Sequence, residues 1–149
     1  MWSDVKRYRQ ASPARKQLLR EALGALVAAR VAMACVSFRR IAAWLGAPGS
    51  ESPAAATAEE THIAEEIGWA VSALGSRVPW DGRCLAQALA ATGMLRRRGL
   101  EGTVSIGVRE SESAGFDAHA WLRMGPCIVT GGSIYQRFKA LTTFSRRHS

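Results

Sequence analysis

The sequence predicts an α+β fold, with helices first and an antiparallel sheet after them. Two observations predict it. Apolar residues recur at helical spacing through residues 13–46, 58–76 and 84–98. From residue 103 the pattern changes to alternation in 103–108 and 118–122, with a third short apolar run at 127–130. Helices followed by strands, with no repeating strand–helix unit, is the α+β order.

The first helical stretch opens at Ser12-Pro13, an N-cap residue followed by proline at the first helical position. Leu18, Leu19, Ala22, Leu23, Leu26 and Val27 begin its apolar stripe, Phe38, Ile41 and Leu45 continue it, and Gly46 is a natural stop. Residues 47–57 are rich in Gly, Pro, Ser and Ala and read as a linker. The next stretch carries Glu59, Glu60, Glu65 and Glu66 toward its start, which suits the helix dipole. Pro79 and Asp81-Gly82 break it. Residues 84–98 form another helix, with Arg96, Arg97 and Arg98 in its last turn and Gly99 after it. Met124-Gly125 reads as the turn between the second and third strands. Residues 131–149 read as a basic tail carrying Ile134, Tyr135, Phe138, Leu141 and Phe144. The expected organisation is a basic helical part (1–46), a linker (47–57) and a core (58–149), forming one compact unit, because 149 residues support one hydrophobic core and not two.

Hydrophobic residues make up 48% and charged residues 21%, which argues against wholesale disorder. No uncharged apolar run is long enough to span a bilayer, and the polar, basic start is not a secretory signal. Three scattered cysteines make no disulfide framework and no zinc motif, so a reducing cytoplasmic setting without a metal is expected. The net charge of +8 is uneven: +7 over residues 1–46, −4 over 47–79 and +5 over 80–149. Basic excess of this kind attracts acidic partners. No groove-reading motif is present, so no nucleic-acid partner is expected.

Cys84 opens a helix, and His119 follows 35 residues later on a strand. A helix N-terminus presents unpaired amides and the positive dipole end, which favour a thiolate and can hold an oxyanion. An imidazole beside the thiol can take its proton and return it to a leaving amine. Cys35, within an apolar helix, and Cys127, within an apolar strand, read as packing residues. His62 and His148 have no plausible partner cysteine.

The run PWDGRCLAQALAATGMLRRRGLEGTVSIGV, followed by AHAWL and IVTGG, resembles the transglutaminase-like cysteine peptidases that mature lasso peptides, the microcin-processing leader peptidases. The helical front, with Phe38-Arg39-Arg40 and Leu45-Gly46, resembles the front of that family's stand-alone protease subunits. The resemblance implies a transglutaminase/papain-like core with cysteine on a helix, histidine on an antiparallel sheet and an acidic third member on the next strand. That strand has no carboxylate here. Alternation about a Met124-Gly125 turn puts Thr130 opposite His119, where its hydroxyl would orient the ring as a neutral partner. Asp117, two residues before His119, shares its strand face. Thr130 or a backbone carbonyl is the preferred orienting group, and Asp117 the other candidate.

The expected function is therefore removal of the leader from a ribosomally made lasso-peptide precursor, with Cys84 attacking and His119 as general base and acid. No cofactor is needed for thiol chemistry. The resemblance implies a separate leader-recognition protein and an ATP-dependent macrolactam synthetase acting next. The basic helix 13–46 either docks such a partner or only covers the core. Two other readings stand beside this one: a non-catalytic basic adaptor for an acidic partner, whether nucleic acid or an acidic membrane surface, and acyl transfer to an amine by the same Cys-His pair.

Overall fold

The structure is a computed structural model that describes residues 2–75, 83–111, 115–132 and 135–146, without the side chains of residues 2–4 and 83. The Pro79–Gly82 break, Ile134 and His148 lie outside the described residues. Helices come first: α1 (Trp2–Gln10), α2 (Pro13–Cys35), α3 (Phe38–Leu45), α4 (Ala58–Gly75) and α5 (Arg83–Arg97). A short β1 (Ala47–Pro48) lies between α3 and α4, and β2 (Thr103–Glu110), β3 (Phe116–Met124), β4 (Cys127–Thr130) and β5 (Lys139–Ser145) follow α5. All strand pairs are antiparallel, in the order β1-β5-β2-β3-β4. The α+β expectation holds.

The helices start and stop where local chemistry directs. Ser12 Oγ accepts from the Arg15 amide at the head of α2. At the head of α4, Thr57 and Glu60 form a reciprocal capping box: the Thr57 amide donates to Glu60 Oε2 (2.9 Å) and the Glu60 amide to Thr57 Oγ1 (3.1 Å). Gly99, at φ +71°, ends α5 with the Leu100 amide bonded to the Leu95 carbonyl.

Several expectations need correction. The helix expected over 13–46 is two helices, because Val36 and Ser37 are extended and Ser37 starts α3. The bend lets Ile41 and Leu45 bury beneath α3. The tail expected after residue 131 contains β5, which lies inside the sheet, paired to β2 along its length and to β1 at its end. The hairpin turn is Gly125-Pro126, with Met124 opposite Cys127. Gly125, at φ +55°, supplies the left-handed first turn position that such hairpins require. A register irregularity then brings Thr130 opposite Leu122 rather than His119.

The stretch 47–57, expected as a linker, is fixed to the sheet. Ala47 and Pro48 pair with β5, and the Ser52 amide donates to Thr103 Oγ1 at 2.8 Å. The Arg123 guanidinium donates to the carbonyls of Ser52 and Pro53.

The core lies between α2, α4 and α5 and one sheet face. Leu26, Ile67, Met94, Leu95, Val104 and Leu122 are fully buried there. Gly68 lets α4 press on β4, since a Cβ at that position would fall 2.5 Å from the Val129 carbonyl oxygen. The arginines ending α5 are structural ties. Arg96 donates to the last carbonyls of α3, at Trp44 and Leu45, and pairs with Glu101. Arg98 forms a two-pronged pair with Glu21 of α2.

Candidate active site

Cys84 is the second residue of α5, within its first turn, and is half-buried. Its backbone neighbourhood is the part of a helix where amide hydrogens have no intrahelical partner. The position of this turn is set from behind. Ala86, Ala88, Ala90 and Ala91 are buried, so small side chains let α5 sit closely among α2, α4 and β3. Gly75, at the end of α4, leaves no room for a Cβ against Gln87 of α5.

Connectivity brings this turn to the His119 end of the sheet. The C-terminus of α5 leads within a few residues into Thr103, which pairs with Arg123 at the far end of β3. Four pairs further on, Gly107 lies opposite His119. The helix covers about 22 Å at 1.5 Å per residue. It runs back along the sheet, so Cys84 and His119 are at the same end.

His119 is half-buried, on the face of β3 that also carries Asp117 and Trp121. Leu122 and Met124 belong to the face pressed against the helices. The imidazole sits between aromatic rings, 5.0 Å from Phe138 and 5.9 Å from Trp121 by ring centroids. Its Nε2 lies 3.2 Å from the carbonyl oxygen of Gly131. A carbonyl only accepts, so this contact requires the proton on Nε2 and leaves Nδ1 with a free lone pair in the neutral ring.

Gly131 makes that contact possible in two ways. Its φ is +76°, and a Cβ there would fall 2.9 Å from His119 Nε2 and 2.8 Å from Trp121 Cβ. It also borders an open groove of about 580 Å³ between α4 and β4, with Trp69, Ser72 and Ala73 on one wall and Cys127, Ile128 and Gly131 on the other.

No hydrogen bond joins the Cys84 thiol to His119 among the described residues. Beside His119 is an open edge. β4 ends opposite Leu122, so among the described residues no strand flanks residues 116–121 of β3 on that side.

The two other candidates are placed away from the ring. Thr130 Oγ1 is buried without a hydrogen-bond partner among the described residues, and the residue faces Leu122. Asp117 binds Arg109, its cross-strand partner, at 3.3 Å. Arg109 in turn lies 5.0 Å above the Phe138 ring, so among the described residues Asp117 is linked to His119 through Arg109 and Phe138.

Gly131 and Phe138 had no role assigned from sequence. The glycine pair closing IVTGG was the available signal, since glycine after a strand often marks a close backbone approach. Phe138 had no local signal, because its contact depends on where β5 returns. Of the other thiols, Cys127 is half-buried, and burial, reinforced by the charge of Glu65, pushes its thiol pKa up. Cys35, expected to pack, is exposed at the end of α2.

Comparison with known families gives one match, to the transglutaminase-like superfamily over residues 23–143. No curated protein and no solved structure matches the chain. The superfamily generally comprises cysteine peptidases and transglutaminases. With most of its length covered, from the middle of α2 into β5, this chain belongs to the transglutaminase-like superfamily.

Proposed function

We propose that the chain is a cysteine endopeptidase that removes the leader from a lasso-peptide precursor. The observation that carries the catalytic part is the 3.2 Å contact between His119 Nε2 and the carbonyl oxygen of Gly131. Gly131 holds the proton on Nε2, so Nδ1 is the nitrogen able to accept a proton from a thiol. Cys84 lies in the first turn of α5, where backbone amides have no intrahelical partner.

In the proposed reaction the thiol and imidazole meet around the open edge of β3. Nδ1 takes the thiol proton, and sulfur forms a bond to the scissile carbonyl carbon. The carbonyl oxygen becomes an oxyanion, which the first-turn amides of α5 stabilise. Collapse breaks the C–N bond, and His119 returns the proton to the leaving amine. Water, deprotonated by the same ring, then cleaves the thioester and restores the thiol.

The leader specificity rests on the likeness of the motifs around Cys84 and His119 to those of the lasso-peptide leader peptidases. In that reading a separate leader-recognition protein presents the precursor, and an ATP-dependent macrolactam synthetase uses the new N-terminus. The test is cleavage of a lasso precursor by the chain with and without its leader-recognition protein. Slow cleavage alone and a large rise with the partner are expected. Failure to cleave under either condition overturns the reading.

Aminolysis of the same thioester is the second reading. It is supported by the superfamily's inclusion of transglutaminases, and product masses separate it from hydrolysis.

A further inference from the structure

We propose that the outer face of α2 and the α2–α3 corner form a peripheral docking surface for an anionic lipid bilayer. The proposal goes beyond the peptidase reading and does not depend on it.

The inner face of α2 is accounted for: Ala22, Leu26 and Ala29 are buried against the core. The outer face has no such cover. Leu23, Val27 and Val31 recur every four residues along it and are 48%, 47% and 55% exposed. The apolar surface continues past the helix end, where Val36 is 38% and Phe38 53% exposed. Branched and aromatic side chains in a row on a solvent-facing helix mark a contact surface.

The charge on this surface has one sign. Lys16 and Arg20 precede Leu23 on the same stripe, Arg30 flanks it, and Arg39 and Arg40 follow Phe38. None of these five is ion-paired among the described residues: Arg20 bonds the Tyr8 hydroxyl, and Lys16 lies over the Tyr8 ring. Acidic residues within 2–46 are only Asp4 and Glu21, and Glu21 is engaged by Arg98 and Arg97. Apolar side chains flanked by unpaired cations are the pattern that sinks into a headgroup layer while the cations meet lipid phosphates. A helix of 23 residues is about 35 Å long, so the surface is extended and convex, which suits a bilayer better than a protein cleft. The face points away from the core in which Ala22, Leu26 and Ala29 are buried.

The test is co-sedimentation of the full chain with phosphatidylcholine vesicles and with vesicles in which roughly a third of the lipid is phosphatidylglycerol. Partitioning should be at least ~10-fold stronger on the anionic vesicles and should fall steeply in ~0.5 M salt. Two double variants, Val27→Asp with Val31→Asp and Arg39→Glu with Arg40→Glu, should each lose about 10-fold of that partitioning or more. Their melting curves should match the wild type, since every substituted side chain is exposed. The wild-type comparison of the two lipid mixtures stands even if a variant misfolds. Absence of vesicle binding, equal binding to neutral vesicles, or full binding by both variants overturns the proposal. Capture of soluble polyglutamate without vesicle binding would also overturn it and assign the face to an acidic protein.

Discussion

The carbonyl oxygen of Gly131 lies 3.2 Å from Nε2 of His119, so the ring is oriented by a backbone group rather than by a carboxylate. A backbone acceptor fixes the tautomer and ring direction but carries no full charge. It therefore stabilises an imidazolium less than a carboxylate does. The aromatic faces of Phe138 and Trp121 complete the positioning.

Gly131→Ala should test that relationship. The added Cβ has no room beside Nε2 and Trp121, and φ +76° disfavours any L side chain. Strain of about 1–3 kcal/mol is expected in the melting curve. Displacement of the ring should lower kcat by about 10–100-fold, with KM changed much less. Unaltered kcat would remove Gly131 from the site.

His119→Ala should slow the chemical step by ~100-fold or more, the scale of lost general acid–base catalysis. Single-turnover cleavage measures it without interference from product release. Wild-type-like rates would refute the assignment.

The three thiols should differ under alkylation. Cys84 and the exposed Cys35 should react with iodoacetamide before Cys127, whose thiol is pushed up by burial and by Glu65. Peptide mass mapping at graded times checks the order. Only modification of Cys84 should coincide with loss of activity, and Cys35→Ala and Cys127→Ala should remain active.

Glu21→Gln should lower stability near neutral pH by about 1 kcal/mol, since it removes the charged pair tying α2 to the end of α5. The hydrogen bond from Arg98, aided by the Arg98 and Arg97 charges, holds the Glu21 carboxyl below its usual range, against burial. A lowered folded pKa stabilises above the unfolded pKa, and the benefit is lost as pH falls through the folded value. The wild-type advantage over Glu21→Gln in urea melts should therefore be full at neutral pH and vanish in acid. An advantage that persists in strong acid would contradict this.

Much of this arrangement was legible in the sequence because it is local. Ser12-Pro13 and Gly99 set helix ends through contacts within a few residues, and Cys84 at a helix start follows from the same reasoning. The non-local parts were not legible. The Lys139–Ser145 segment has no clean alternation, because it runs from exposed at Lys139–Leu141 to buried at Phe144–Ser145, and its place in the sheet depends on pairing with β2 and β1. Register was the sharpest loss. Placing the turn at Gly125-Pro126, with an irregularity after Ile128, replaces His119 with Leu122 opposite Thr130, and a three-position shift on a short strand is enough to change the group that orients a ring.

Attack by Cys84 on a precursor carbonyl, followed by release with water, leaves a distinct mark on each product. The most direct measurement is the mass spectrum of products formed in heavy-oxygen water by wild type and Cys84→Ala, each with precursor and leader-recognition protein. Wild type should yield a leader fragment carrying one heavy oxygen in its new carboxylate and a core peptide with a free amine, and Cys84→Ala should yield neither. Cleavage by Cys84→Ala, or an amine-linked leader without heavy oxygen, would contradict it.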